Sequence, residues 1–161
     1  MRTLIVYYSM GGNTEAAAAV VAKRLGADAL RLEPQKAYPS SGLRKFLWGG
    51  KSAVMAETPK LKPYVLNGGY DRTIFGSPVW AGTFAPPLRT FIKENALALE
   101  GRTFAAFMCQ GGSGGEKALR KLEECLGVKA LAAEAILIDP KDRPSAENDA
   151  KLEQFCAALA R

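Results

Sequence analysis

Histidine does not occur in this chain, and cysteine occurs only three times, at Cys109, Cys125 and Cys156. Without histidine there is no His-dependent triad and the commonest general base is missing. No Cys-x-x-Cys pair is present either, so a zinc site is not expected. Three scattered cysteines build no disulfide framework, and they suit a reducing, cytoplasmic setting. Long apolar runs are also lacking: none approaches the ~20 residues that span a bilayer. The N-terminus has a strand pattern with one arginine, not the charged, apolar and small regions of a signal sequence. Repeats, linkers and low-complexity segments are absent, so a single domain over residues 1–161 is expected. Any chemistry should therefore belong to a bound cofactor or to carboxylates.

What is present is enough apolar material for one core, 48% of 161 residues, and an uneven positive charge. Lys and Arg exceed Asp and Glu by 22 − 16 = +6. Between Pro34 and Tyr70, Lys36, Arg44, Lys45, Lys51, Lys60 and Lys62 face a single acid, Glu57. That segment is either a solvated face or a docking surface for an acidic partner. No nucleic-acid motif accompanies the lysines, so nucleic acid is not an expected partner.

Apolar runs and breakers alternate along the chain. Thr3–Tyr8 reads as a strand, followed by a small-polar loop and an alanine-rich helix over 15–25. Its apolar positions Ala17, Val20 and Val21 are expected inward, with Gly26 at the end as a C′ glycine. Ala29–Leu32 is a second strand, stopped by Pro34. The chain is then turn-rich from Gln35 to Gly42. A patchy helical pattern over 43–57 places Leu43, Phe46, Leu47 and Val54 on one side, interrupted by Gly49-Gly50. Thr73–Phe75 is a third strand. Residues 77–87 read as irregular before a helix with Leu88, Phe91 and Ile92 inward and Pro87 in its first turn. Thr103–Met108 is a nearly all-apolar strand, as a parallel strand covered on both faces should be. A glycine loop, Gly111–Gly115, leads into a helix using Leu119, Leu122, Cys125 and Leu126. Ala135–Ile138 is the fifth strand, and a helix from about Ser145 carries Leu152, Phe155, Cys156 and Leu159. Five β-α units in succession imply an α/β fold with a parallel sheet covered by helices on both faces.

The chemistry concentrates at strand ends. Ser9-Met10-Gly11-Gly12-Asn13-Thr14 joins the first strand to the first helix, an arrangement that offers backbone N–H groups and a positive helix pole to an anion. The loop does not fit Gly-x-Gly-x-x-Gly, so it is not a dinucleotide fingerprint. Gly50-Lys51-Ser52 matches the end of a Walker A loop, but Lys45 stands where its first glycine belongs and no strand precedes it. The remaining readings are a phosphate monoester site built from hydroxyl, amide and backbone donors without a cation, or an ordinary helix cap without a ligand.

Two further strand ends decide between them: Gly76-Ser77-Pro78-Val79-Trp80-Ala81-Gly82-Thr83 and Cys109-Gln110-Gly111-Gly112-Ser113-Gly114. Together with residues 9–14 they resemble the flavodoxin family, in particular members with a Gly-Ser-Pro-x-Trp loop, over essentially the whole chain. The resemblance implies a flavodoxin-like three-layer α/β sandwich whose five-stranded parallel sheet has the order 2-1-3-4-5. It also implies FMN as cofactor, at the edge where the strand order reverses. Ser9, Gly12, Asn13 and Thr14, with Met10 and Gly11, match the phosphate loop. Pro78, Val79, Trp80, Ala81 and Gly82 match the loop along the flavin ring, with Trp80 against its face. Cys109, Gln110, Gly111 and Gly112 match the loop at the pyrimidine edge, where Cys109 is read as packing. This chain departs from the family in three respects. Its third loop carries no second aromatic, Ala81 stands where some members have glycine, and its charge is basic where electron-carrier flavodoxins are typically acidic.

The resemblance implies electron transfer between redox protein partners; because this chain is basic, the family's usual partners do not carry over, and the cluster between Lys36 and Lys62 is expected to face an acidic redox protein or an anionic substrate. The alternative on the same fold is an FMN-dependent NAD(P)H:quinone or nitro-compound reductase with a small-molecule acceptor. A module that kept the fold and lost the cofactor is the third reading.

Overall fold

The computed structural model describes residues 1–39 and 50–160. The expected positions Ser40–Gly49, with Arg44, Lys45, Leu43, Phe46 and Leu47, lie outside them. Six strands are present among the described residues: β1 (Thr3–Tyr7), β2 (Asp28–Arg31), β3 (Arg72–Trp80), β4 (Thr83–Phe84), β5 (Thr103–Gln110) and β6 (Glu134–Ile138). The helices bounded within the described residues are α1 (Asn13–Leu25), α2 (Pro86–Glu94), the single turn α3 (Ala96–Leu99), α4 (Gly115–Leu126) and α5 (Ala146–Leu159). Residues 50–54 are also helical.

Five strands pair in parallel in the order β2-β1-β3-β5-β6. Counted without the short β4, this is the 2-1-3-4-5 order that the resemblance implied. Side chains of the central strands alternate between two separate cores, because successive residues of a strand point to opposite faces. Leu4, Val6, Phe75, Ala106 and Met108 pack under α2 and α4 with Leu88, Phe91, Leu119 and Leu122. Ile5, Tyr7, Ile74, Ala105, Phe107 and Leu137 pack under α1 and α5 with Val21, Leu152 and Phe155. Both faces of β3 and β5 are thus apolar, which is why those segments read as unbroken runs rather than alternating ones.

Three local expectations are corrected. Residues 77–80 continue β3, and residues 83–84 form β4, which turns back on it with Trp80 opposite Thr83. Ala81 and Gly82 make that turn at φ +50° and +71°, the doubly left-handed geometry of a tight hairpin. In α1 the buried residues are Ala17, Ala18 and Val21, while Val20 is 37% exposed. Ser52 and Ala53, rather than Val54, face inward from the short helix, and Val54 is 62% exposed.

Candidate functional site

The sheet delivers its loops to one edge. β1 and β3 run in register with Tyr7 beside Gly76, and Pro78 of β3 lies beside Cys109 of β5. Parallel pairing therefore places the chain after Tyr7, after Gly76 and after Cys109 at the same carboxyl ends.

In the first loop the Ser9 hydroxyl oxygen accepts from the N–H groups of Gly12 and Glu15, each at 3.2 Å. Its own hydrogen remains to donate. Gly12, at φ +94°, turns the chain into α1 and has no side-chain cap. Among the described residues the N–H groups of Asn13 and Thr14 find no acceptor. They are the unpaired donors of a helix start, aligned with the positive helix pole. Thr14 is 1% exposed. Met10 is half-buried beside the open Gly11.

In the second loop Ser77 fixes the hairpin: its hydroxyl donates to Pro78 O and accepts from Ala85 N–H, both at 2.8 Å. Trp80 is half-buried and meets two tyrosine rings edge-on, Tyr8 at 5.5 Å and Tyr38 at 5.1 Å between centroids. Tyr8 and Tyr38 also meet, at 6.1 Å. Burial pushes the Tyr8 phenol well above its ordinary range, with the neighbouring Tyr38 adding to the shift. Among the described residues the Thr83 hydroxyl is buried without a partner.

The third loop is shaped by Gln110. Its side-chain oxygen accepts from Gly115 N–H at 2.8 Å, capping α4, and its amide donates to Gly112 O at 3.3 Å. Gly111 and Gly112 are exposed. A Cβ on Gly114 would stand 3.1 Å from Gly82 Cα and 3.1 Å from Val79 Cγ1, so the second and third loops meet through glycine backbone. Cys109 is buried in the core, and burial pushes its thiol up to about 12. Its side chain packs in the core under α1 and α5.

The sequence reading missed a fourth loop, residues 139–143 after β6. Asn13 Oδ1 accepts from the N–H groups of Lys141 (2.8 Å) and Asp142 (3.1 Å), and Asn13 Nδ2 donates to Asp142 Oδ2 at 2.9 Å. Lys141 Nζ donates to Gly11 O at 3.2 Å. On the other side, Asp139 N–H donates to Gln110 O at 3.1 Å, and the Arg143 guanidinium donates to Gly111 O and pairs with Asp139. This loop ties the first loop to the third. Its sequence signal was present but unused: Asp139-Pro140-Lys141-Asp142-Arg143 also follows a parallel strand at its carboxyl end.

A family model described as Flavodoxin matches residues 2–145. The chain belongs to the flavodoxin family. Solved structures agree on the fold. A flavoprotein from Lactobacillus acidophilus NCFM, crystallised in complex with FMN, is 17% identical with a TM-score of 0.74, over 96% of this chain and 97% of that one. The two-electron reduced flavodoxin of Megasphaera elsdenii is 17% identical with a TM-score of 0.60, over 98% of each chain. In this flavodoxin-family chain the edge offers an anion a pole of unpaired amides and a hydroxyl donor. Beside it stand an aromatic cluster and a glycine-lined rim. Away from these loops, a groove of about 650 Å³ runs along the outer edge of β6 between α4 and α5. Among the described residues no helix is long and apolar enough to cross a membrane, and no group of three or more His, Cys, Asp or Glu is placed to hold a metal.

Proposed function

We infer that this flavodoxin-family protein binds FMN at the carboxyl edge of its sheet, as one domain, and carries electrons between redox proteins. The observation that carries the reading is the convergence of the three loops with the unpaired Asn13 and Thr14 amides at the start of α1. That donor set fits a phosphate monoester, which needs several N–H and O–H donors converging on one anion. Ser9 supplies its hydroxyl hydrogen, Gly11, Asn13 and Thr14 supply main-chain N–H groups, and Gly12, whose own N–H is taken up by Ser9, supplies the left-handed turn that aims them. The Asn13 side chain is occupied by the fourth loop, so its part is the main-chain N–H and the positioning of Lys141 and Asp142. Met10 flanks the grip.

Pro78, Val79, Trp80, Ala81 and Gly82 are the wall for the flavin ring. Trp80 brings a large apolar surface already braced by Tyr8 and Tyr38. Cys109, Gln110, Gly111 and Gly112 serve the polar edge of the ring through main-chain groups, with Gln110 holding the glycine rim in shape. When bound, FMN supplies the electron chemistry; the residues bind it, orient it and exclude water. Lys36, Lys51, Lys60 and Lys62 suit an acidic redox partner, although Lys62 is paired with Glu33 at 2.8 Å. The free cysteines suit a cytoplasmic setting.

The exposed rim at Gly111 and Gly112 supports a second reading, an FMN-dependent NAD(P)H:quinone or nitro-compound reductase that admits a small acceptor there. Titration of the apoprotein with FMN, followed by stepwise reduction watched in the visible, tests both. Two separate one-electron steps without NAD(P)H turnover support the carrier, and quinone-dependent NAD(P)H oxidation supports the reductase. Failure to take up FMN removes both.

A further inference from the structure

The phosphate loop looked cation-free in the sequence, yet the fold brings one cation to it from the far end of the chain. Lys141 Nζ donates to Gly11 O at 3.2 Å, and a Cβ built on Gly12 would stand 2.9 Å from that nitrogen. The ammonium thus sits against the residue that opens α1. Among the described residues Lys141 has no acidic partner within ion-pair distance, whereas its neighbours are engaged. Arg31 pairs with Glu15, Arg143 with Asp139, and the Asp142 carboxylate accepts from Asn13.

A cation at the positive pole of a helix is placed against the local field, since cations gain at the other end. The position is nevertheless held firmly: the Lys141 main-chain N–H is bonded to Asn13 Oδ1 at 2.8 Å. The fold thus fixes the backbone of Lys141 over the loop and leaves a flexible four-carbon stem to carry its charge. An anion at the Asn13 and Thr14 amides turns this unfavourable arrangement into a favourable one. A neutral group there does not.

The geometry points to Lys141 as a specificity-determining residue that makes the site prefer a phosphorylated flavin over an unphosphorylated one. The inference rests on the FMN reading above and adds a residue to it. A charge-assisted contact to phosphate from an exposed side chain is worth about tenfold in affinity at low ionic strength. The contact weakens as salt screens it.

The test is a fluorescence titration of FMN and of riboflavin into the apoprotein, comparing the wild type with Lys141→Met and Lys141→Arg, at low and high salt. Lys141→Met should lose about tenfold in FMN affinity at low salt and much less at high salt, as screening predicts. Riboflavin affinity should stay within about twofold, and Lys141→Arg should keep most of the preference. Equal loss of both ligands in Lys141→Met, or no loss of either, overturns the role of Lys141 while leaving the cofactor assignment standing. A wild type that binds neither ligand overturns the cofactor assignment and this inference with it.

Discussion

The meeting of the second and third loops allows a sharp test in one residue. Gly114 has φ +96°, beyond the region an L side chain enters without strain, and a Cβ there would press on Gly82 Cα and Val79 Cγ1 at 3.1 Å. Left-handed backbone alone costs a non-glycine residue about 1–2 kcal/mol. Forcing a methyl against main chain adds about 1–3 kcal/mol, because Gly82 sits in a paired hairpin and has little freedom to retreat. Gly114→Ala is therefore expected to lower the unfolding free energy by about 2–5 kcal/mol. Gly112, in the same loop, is the control: its φ is not positive, and nothing lies within 4 Å of a Cβ added to it. Gly112→Ala should stay within about 0.5 kcal/mol of the wild type. Urea denaturation of the apoproteins measures both. Equal costs at the two positions would mean that the loop needs glycine for general mobility, and the close-approach reasoning would fall. FMN affinity should drop in Gly114→Ala at temperatures where the variant is still folded, since its two loops can no longer close on each other.

Other expectations follow from single contacts. Trp80→Ala should weaken FMN binding by about 1–3 kcal/mol, the scale of one lost aromatic contact, read by flavin fluorescence titration; an unchanged dissociation constant moves Trp80 off the ring. The buried Asn148 side chain accepts from Ile138 N–H at 2.9 Å and donates to Ile138 O at 2.8 Å. Asn148→Leu should therefore cost about 2–4 kcal/mol in urea denaturation by stranding both groups, and a change below about 0.5 kcal/mol would refute it. The Cys109 thiol is raised from 9.0 to about 12 by burial. The unfolded chain therefore releases this proton first, and the stabilisation present below pH 9 is lost as pH climbs towards 12. Denaturation midpoints measured between pH 8 and 11.5 should fall, less steeply in Cys109→Ala; parallel profiles for the two proteins would contradict the assignment.

The layered sheet was legible because β1, β3 and β5 are buried on both faces, so their sequences are continuous apolar runs bounded by glycine and proline. The edge rule for parallel sheets then gathered three loops correctly in order. What was hidden has physical reasons. α1 is almost all alanine and valine, so no face of it stands out, and Val20 and Ala18 exchange roles at no cost in pattern. Gly76 and Pro78 disguised the continuation of β3, although proline is tolerated where a strand leaves its ladder. The Tyr8–Tyr38–Trp80 cluster joins three distant segments, and Asn13 meets Lys141 and Asp142 across about 128 residues. Hydrogen bonds of that span leave no local signature, because neither partner differs from an ordinary loop residue.

The link between Asn13 and the fourth loop also has a consequence for how the protein is made. The loop that begins the chain is completed by residues 139–143, and these are held in turn by Asn148, which donates to Arg143 O at 3.4 Å and brackets Ile138. During synthesis β1, its loop and α1 emerge well over 100 residues before the fourth loop, so the contacts of Asn13 with Lys141 and Asp142 form only after residues 139–143 have been added. A chain cut short before α5 keeps the first and fourth loops but loses the Asn148 contacts that hold the fourth loop to Ile138 and Arg143. FMN retention by truncated chains is thereby expected to report whether residues 139–148 have folded against the first loop.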